Sequence, residues 1–381
     1  MSQTKVEAPF VEGGGGINFK NLIINGDFQI AQRSTSAVTA GNGTYTTVDR
    51  WKTFTGNIGG AYTTQQKTNS LADNATTGQQ RYLEIKCTST DSSVDSNAYA
   101  MVRQHVEASP YLQSKLRYGT SDAQKLTLSF WIKTNLTGTH SMSWYYNGST
   151  DGGTTYYYPF NFTVSSANTW EKKIITIPAP PTSYGSINVG SYAATGGLLN
   201  INLQIGANYQ DPAGSWTGNV AYSSEDVPNF FTSTDNNILI TAIQLEVGDD
   251  ASDFEYIPFD VQLQRCQRYY EKSYNYSVVP GTSTTYEGTH LAEVLADGTT
   301  TRIKILDSRF SVRKRAAPTM TFYTSDGGAS GEINNYSSGA DKTISSIGNT
   351  SETSIGRYLS MTDAGATNET YEFQYEANAE L

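Results

Sequence analysis

The amino-acid sequence predicts an all-β protein of two units, a jelly-roll β-sandwich followed by a smaller C-terminal β-sandwich. Three observations predict it. Short stretches alternate apolar and polar residues with period two, as in KLTLSFWIK at 125–133. Turn-forming residues punctuate them, with 34 glycines and abundant Ser, Thr and Asn. The 26 tyrosines suit a pleated, half-buried surface, while charged residues reach only 16%, too few for a helical bundle. A chain of 381 residues is long enough to bury two cores, or three.

Residues 1–16 end in Gly13-Gly14-Gly15-Gly16, a flexible joint. The segment before it is too short to hold a core. Its apolar anchors, Phe10 and Val11, suit a peptide that orders on a larger partner. The first unit spans 17–258. INFKNLIINGDFQI, 17–30, reads as strand, turn and strand around Asn25-Gly26, since both residues tolerate positive φ. Leu83, Ile85 and Cys87 make the apolar face of a strand at 82–87. Leu126, Leu128, Phe130 and Ile132 make another at 125–133. Residues 141–146 and 173–177 are further strands, and 108–117, around Pro110, is the one helical stretch expected here. In the strand that starts at Asn236, Ile238, Ile240 and Ala242 share one face, with Leu239, Thr241 and Ile243 on the other. Gly248, Asp249, Asp250 and Asp253 end it.

Residues 259–274 form a connector in which Val261, Leu263, Cys266, Tyr269 and Tyr270 sit among Gln and Arg. Spacings of three and four fit a short helix or a twisted strand. So many apolar groups in a connector predict a seam between copies of the chain, with Arg265 and Arg268 pairing with Glu246 or Asp253 of a neighbour. The alternative packs the same residues on the chain's own jelly roll. The second unit spans 275–381, with strands at 302–306, 317–323 and 371–375 and turns at Asp326-Gly327-Gly328, Ser338-Gly339 and Asp363-Ala364-Gly365.

Several function classes are disfavoured. The formal net charge of −10 argues against non-specific nucleic-acid or anionic-membrane binding. No apolar run reaches the ~18–20 residues of a membrane span, and the N-terminus lacks a signal peptide's apolar core, so a soluble protein made in a cytoplasm is expected. Cys87 and Cys266, with three scattered histidines, offer neither a disulfide framework nor a zinc site, and no metal or cofactor is expected. There is no GxSxG, P-loop, HExxH or Rossmann pattern. Asp151, Asp211, Glu225 and Asp226 read as turn acids rather than as a glycosidase pair, so no catalytic residue is assigned. The aromatic loops say more. Trp144, Tyr145, Tyr157, Tyr209 and Trp216, with Asp211 at the rim, combine flat faces with hydrogen-bonding neighbours, the combination that grips a sugar's C–H face and hydroxyls. Trp51 and Trp131 are assigned to packing. No repeat period signals a β-helix.

Particular words add a resemblance. Ile243-Gln244-Leu245-Glu246-Val247-Gly248, then Phe254-Glu255, then Cys266-Gln267-Arg268-Tyr269-Tyr270 resemble a signature of bacteriophage tail-fibre and receptor-binding proteins. Asn21-Leu22-Ile23, Asn25-Gly26-Asp27-Phe28, Asp49-Arg50-Trp51, RAAPTMTFY at 315–323 and the terminal strand resemble parts of the same proteins. The opening NGDF, KLTLSFWIKTNLTGTHSMSW and TWEKKIITIP also resemble the strands of jelly-roll carbohydrate-binding modules, over roughly 20–258. In those modules a glutamate helps hold a structural calcium. Here Gln29 stands at that position, and Asp27 alone is left as an oxygen ligand, which fits a turn cap better. The resemblance implies a non-enzymatic tail fibre or receptor-binding protein in the virion, attaching it to host cell-surface polysaccharide or lipopolysaccharide. It further implies docking to virion tail proteins through 1–16 and assembly as a homotrimer. A capsid-decorating fibre, or a capsule-degrading glycosidase, is the alternative.

Overall fold

The computed structural model describes residues 19–148, 154–189, 195–225, 227–283, 287–294, 302–326, 328, 330–336, 338–361 and 369–381. Phe10, Val11, Asp151 and Asp226 lie outside them. The chain begins with β1 (Val38–Thr39), β2 (Thr44–Tyr45), β3 (Trp51–Gly56), β4 (Ala61–Thr68), α1 (Leu71–Thr77), β5 (Arg81–Ser89), β6 (Tyr99–Glu107) and α2 (Pro110–Leu116). It continues through β7 (Leu126–Thr134), β8 (Gly138–Asn147), β9 (Thr155–Val164), β10 (Glu171–Ile177), β11 (Thr195–Ile205) and β12 (Asn237–Val247). Two six-stranded antiparallel sheets result, in the orders β1-β4-β5-β12-β7-β10 and β2-β3-β6-β11-β8-β9. The fold is all-β, and the first unit is a sandwich of these two sheets.

Alternation sets the facing. Leu83, Ile85 and Cys87 on β5, and Leu126, Leu128, Phe130 and Ile132 on β7, are buried in one shared core. On β12 simple alternation breaks. Ile238 and Ile240 point inward, but so do Ile243 and Leu245, because Ala242 at φ 52° inserts a bulge between Thr241 and Gln244. Gly26 explains the bulge's company. Ile243 donates its N–H to Gly26 O at 2.9 Å, and a Cβ on Gly26 would lie 2.0 Å from Ile243 O. The Asn21 side chain bridges the same bulge, donating to Ile243 O and accepting from Leu245 N at 3.0 Å each. α2 matches the expected helical stretch: Ser109 caps Leu112 N at 3.1 Å, Pro110 opens the helix, and Arg117 closes it in the left-handed region.

The connector is a helix and a strand in succession, α3 (Phe259–Gln267) and β13 (Tyr270–Lys272). After it come β14 (His290–Val294), β15 (Arg302–Ile305), β16 (Thr319–Tyr323), β17 (Glu332–Asn335), β18 (Asp341–Gly348), β19 (Tyr358–Met361) and β20 (Thr370–Asn378). With β13 they make one eight-stranded sheet in which β20 organises the rest. It pairs with β13 and β16 along its C-terminal half and with β14 and β17 along its N-terminal half, so the sheet wraps round its own core, from Ala292 to Ala377.

Where the units meet, a dense ionic seam forms. Arg50, 1% exposed, pairs with Glu380, donates to His105 O at 2.7 Å and lies 3.5 Å from the centre of the Tyr269 ring. Arg33 sits 3.6 Å over the Tyr270 ring between Asp49 and Glu380. Lys314 pairs with Glu271, both fully enclosed. Arg268 grips Glu107 with two nitrogens, at 2.7 and 3.2 Å, and Tyr269 OH donates to the same carboxylate. Arg315 donates to the carbonyls of Ala379 and Glu380.

This corrects the expected seam between copies. Cys266, Tyr269 and Tyr270 are 0%, 3% and 1% exposed within a single chain, and Val261 and Leu263 are half-buried. Arg268 takes its acid from its own β6, and Glu246 is already bonded to Gln244 and Ser252. The connector is apolar because it is mortar between units.

Candidate functional site: the outer face of the second sheet

β6 has the sequence YAMVRQHVE. Its alternation sends Ala100, Val102 and Val106 into the core, and Tyr99, Met101, Arg103 and His105 to the other side of the sheet. Register carries the pattern across. Arg103 stands beside Lys52 on β3 and Asn200 on β11, Asn200 beside Ser143 on β8, and Ser143 beside Pro159 on β9. Along the same face Leu198 is followed by Tyr145 and Tyr157.

The segment between β11 and β12 folds back over this face. Tyr157 and Thr217 exchange backbone hydrogen bonds at 2.9 Å, and Gly214 N donates to Pro159 O at 2.8 Å. Ser224 bonds to Ser141 and Asn161, and Asn202 donates to Tyr222 O. The result is a continuous ribbon of rings. Phe54 stacks on Tyr99 at 4.9 Å, and Tyr99 meets Tyr209 at 5.8 Å and Tyr222 at 6.1 Å. Tyr222 meets Tyr157 at 5.9 Å, and Tyr157 meets Tyr145 at 5.0 Å.

Arg103 lies at the centre, 5% exposed, its guanidinium carbon 3.8 Å from the Phe54 ring centre and 5.4 Å from that of Tyr222. It makes no salt bridge among the described residues. Its Nη2 meets Met101 Sδ, and its Nε has no hydrogen-bond partner. Burial pulls its pKa below the ordinary value, against the opposing influence of Tyr145 and Tyr222. Burial also pushes the Tyr145 phenol up to about 12, which keeps it a neutral hydroxyl able to donate and accept.

The polar floor follows one rule. Asn200 and Asn202 each anchor the amide nitrogen, on Ser143 and Tyr222 O respectively, and each leaves its carbonyl oxygen buried without a partner. Gln204, beyond a bulge, stands opposite core-facing Ala100 and turns to Asn229 instead. An unmet buried acceptor costs about 1–3 kcal/mol. The two side by side on the outer face, beside an unmet guanidinium N–H, suit a ligand rich in hydroxyl groups.

The residues singled out from sequence divide accordingly. Tyr145, Tyr157 and Tyr209 come together in the ribbon. Asp211, two residues after Tyr209, accepts from Asn219 at 3.2 Å at its edge. Trp144 does not join them. It is fully buried, pointing the opposite way from Tyr145 into the core, where a Cβ on Gly197 would stand 2.2 Å from its ring. Trp216 packs on Tyr146 and Tyr158 at 5.7 and 5.3 Å and donates to Pro178 O, closing the sandwich edge. Glu225 is exposed beside the covering segment. Arg103, Phe54, Tyr99 and Tyr222 were not singled out. The signal was the alternation of β6, which places an arginine on the same face as Tyr99. Among the described residues no three His, Cys, Asp or Glu side chains gather as metal ligands, and no helix is long and apolar enough to cross a membrane.

No family model matches the chain, and no curated protein matches it. Among solved structures, it is similar to the enzymatically active domain of bacteriophage CBA120 tailspike protein 4, at 15% identity and TM-score 0.28, over 60% of this chain and 22% of that one. It is also similar to the CBM22-2 xylan-binding domain from Paenibacillus barcinonensis Xyn10C, at 16% identity and TM-score 0.27, over 52% of this chain and 91% of that one. A family 11 carbohydrate-binding module from Clostridium thermocellum, solved with a β-1,3-1,4-mixed-linked tetrasaccharide, is similar at 11% identity and TM-score 0.28, over 53% and 91%.

Proposed function

We propose that the chain is a non-enzymatic attachment protein of a bacterial virus, binding host cell-surface glycan through the outer face of the β2-β3-β6-β11-β8-β9 sheet. The observation that carries the glycan reading is the pair of unpartnered oxygens on Asn200 and Asn202 beside Arg103 and beneath the aromatic ribbon. Sugar hydroxyls donate to such acceptors, and ring C–H faces lie on tyrosines such as Tyr145, Tyr157 and Tyr209. The viral assignment rests on the sequence words, which the seam uses as structural residues. Location in the virion as a tail fibre, and docking to tail proteins through residues 1–16, belong to the same proposal. Assembly as a homotrimer does too, but it needs surfaces other than Cys266, Tyr269 and Tyr270.

Added protein is expected to compete with particles for adsorption to host cells and to release no reducing ends from host polysaccharide. Competition without release supports the reading. Release of reducing ends replaces it with the capsule-degrading alternative, and absence of competition with a capsid fibre. Deleting residues 1–12 is expected to leave the fold intact and abolish incorporation into particles. Normal assembly of the truncated protein would contradict docking through the tail.

A further inference from the structure

The second unit carries a cleft of about 540 Å³ that is separate from the aromatic face. It is lined by Arg302, Lys304, Ile305, Leu306, Ser308, Arg357 and Tyr358, so every ionisable side chain in it other than the tyrosine is a cation. The strand register builds the cluster. Alternation on β15 buries Ile303 and Ile305 and turns Arg302 and Lys304 outward. Antiparallel pairing sets Lys304 beside Tyr358 and Arg302 beside Ser360 on β19. Arg357 enters at the start of β19, its N–H held by Gly348 O at 2.9 Å and its C=O by Ile305 N at 3.3 Å.

None of the three cations forms a salt bridge among the described residues, and their one recorded partner is aromatic: the Arg302 guanidinium carbon lies 4.8 Å from the centre of the Tyr358 ring. Glu293 stands across from Lys304 on β14 but forms no salt bridge with it. Asp307 turns back to its own loop, accepting from Arg309 N at 3.4 Å. Elsewhere this acidic chain pairs its cations, as at Arg33, Arg50, Arg268, Arg313 and Lys314. Three cations converging on one cleft without an acid form an oxyanion site in waiting. The volume exceeds what a lone phosphate fills, and Leu306, 47% exposed, and the Tyr358 ring supply apolar surface for a sugar ring. A net charge of −10 disfavours an extended polyanion such as nucleic acid.

We infer that this cleft binds an acidic saccharide, a sugar bearing a phosphate or a carboxylate, at a site independent of the aromatic face. The test is calorimetric titration of the full chain with glucuronate, glucose 6-phosphate and glucose at low salt. At least one anionic sugar is expected to bind about tenfold or more tightly than glucose, and 0.5 M NaCl is expected to erase much of that difference. Preference for glucuronate assigns the carboxylate, and preference for the phosphate ester assigns the phosphate. Arg302→Gln with Arg357→Gln is expected to bring the anionic sugars to the level of glucose. Lys304→Gln alone, a milder change should the double variant misfold, is expected to weaken them several-fold. Lys125→Gln, an exposed cation of the first unit that belongs to neither site, is expected to leave this binding unchanged. Equal binding of charged and neutral sugars, or undiminished binding by a folded Arg302→Gln/Arg357→Gln variant, overturns the inference.

Discussion

The seam and the aromatic face each bury an arginine against aromatic rings, and they differ in what else the arginine meets. Arg50 lies over Tyr269 and finds Glu380 and a backbone carbonyl. Arg103 lies over Phe54 and finds no carboxylate among the described residues, and beside it the amide oxygens of Asn200 and Asn202 are also unmet. Desolvating a charge costs several kcal/mol unless pairing and hydrogen bonds offset it. Arg50 is therefore held as structure. Arg103 stays costly in the free protein, as expected where a ligand completes the site. The geometry between units rests on such paired groups, Arg50, Arg268, Tyr269, Tyr270 and Arg315 among them.

The sharpest way to break this comparison is one substitution made twice. Arg50→Met leaves Glu380 buried with Arg33 as its remaining salt-bridge partner and is expected to cost about 3–5 kcal/mol in chemical denaturation. It is also expected to split a single unfolding transition into two as the units come apart. A cost below about 1 kcal/mol would show that the seam is not held by this pair.

Asp27 sharpens the seam from its other side. This carboxyl is buried without a cation, and its pKa rises from 3.8 to about 6 because burial outweighs its hydrogen bonds from the backbone and Gln262. Between those values the native state holds the proton more tightly than the unfolded chain. The stabilisation from this group is thus present in full below about 3.8 and is lost as pH rises through 6. Asp27→Asn, which stays neutral, is expected to gain on the wild type by about 3 kcal/mol between pH 3.5 and pH 8 in urea denaturation. A difference that does not change with pH would contradict the burial argument.

The counterpart of Arg50→Met has the smallest expected effect. Arg103→Met removes an unpaired buried charge together with its contacts with the rings and is expected to cost less than about 1 kcal/mol or to stabilise the protein. A loss as large as that at Arg50 would mean that Arg103 is structural too.

How much of this was legible in the sequence depended on the range of the interaction. Period-two alternation gave the faces of β5 and β7 and the all-β class, because burial of a sheet face is written locally. The bulge at Ala242 was not legible, since its cause is Gly26 more than 200 residues away, and counting straight through put Ala242 rather than Ile243 with Ile240. Adjacent residues Trp144 and Tyr145 read alike as aromatic, and only the second sheet layer decides that Trp144 is core. The connector's apolar residues were visible, but their partners lie on β6 and β20, so a bond within the chain looked like a bond between chains. Arg103 was missed because an arginine in a strand reads as solvated until its ring neighbours on β3 and the covering segment are known.

The claim that the outer sheet face binds glycan is tested most directly by an array of bacterial surface glycans probed with full-length protein and with a Tyr145→Ala/Tyr222→Ala variant. Both rings belong to the ribbon, and neither belongs to the seam or to the core. The wild type is expected to retain a defined subset of glycans, and the variant, with an unchanged melting profile, to bind them about tenfold or more weakly. A wild type that binds none, or a folded variant that binds the same set as strongly, would contradict the account.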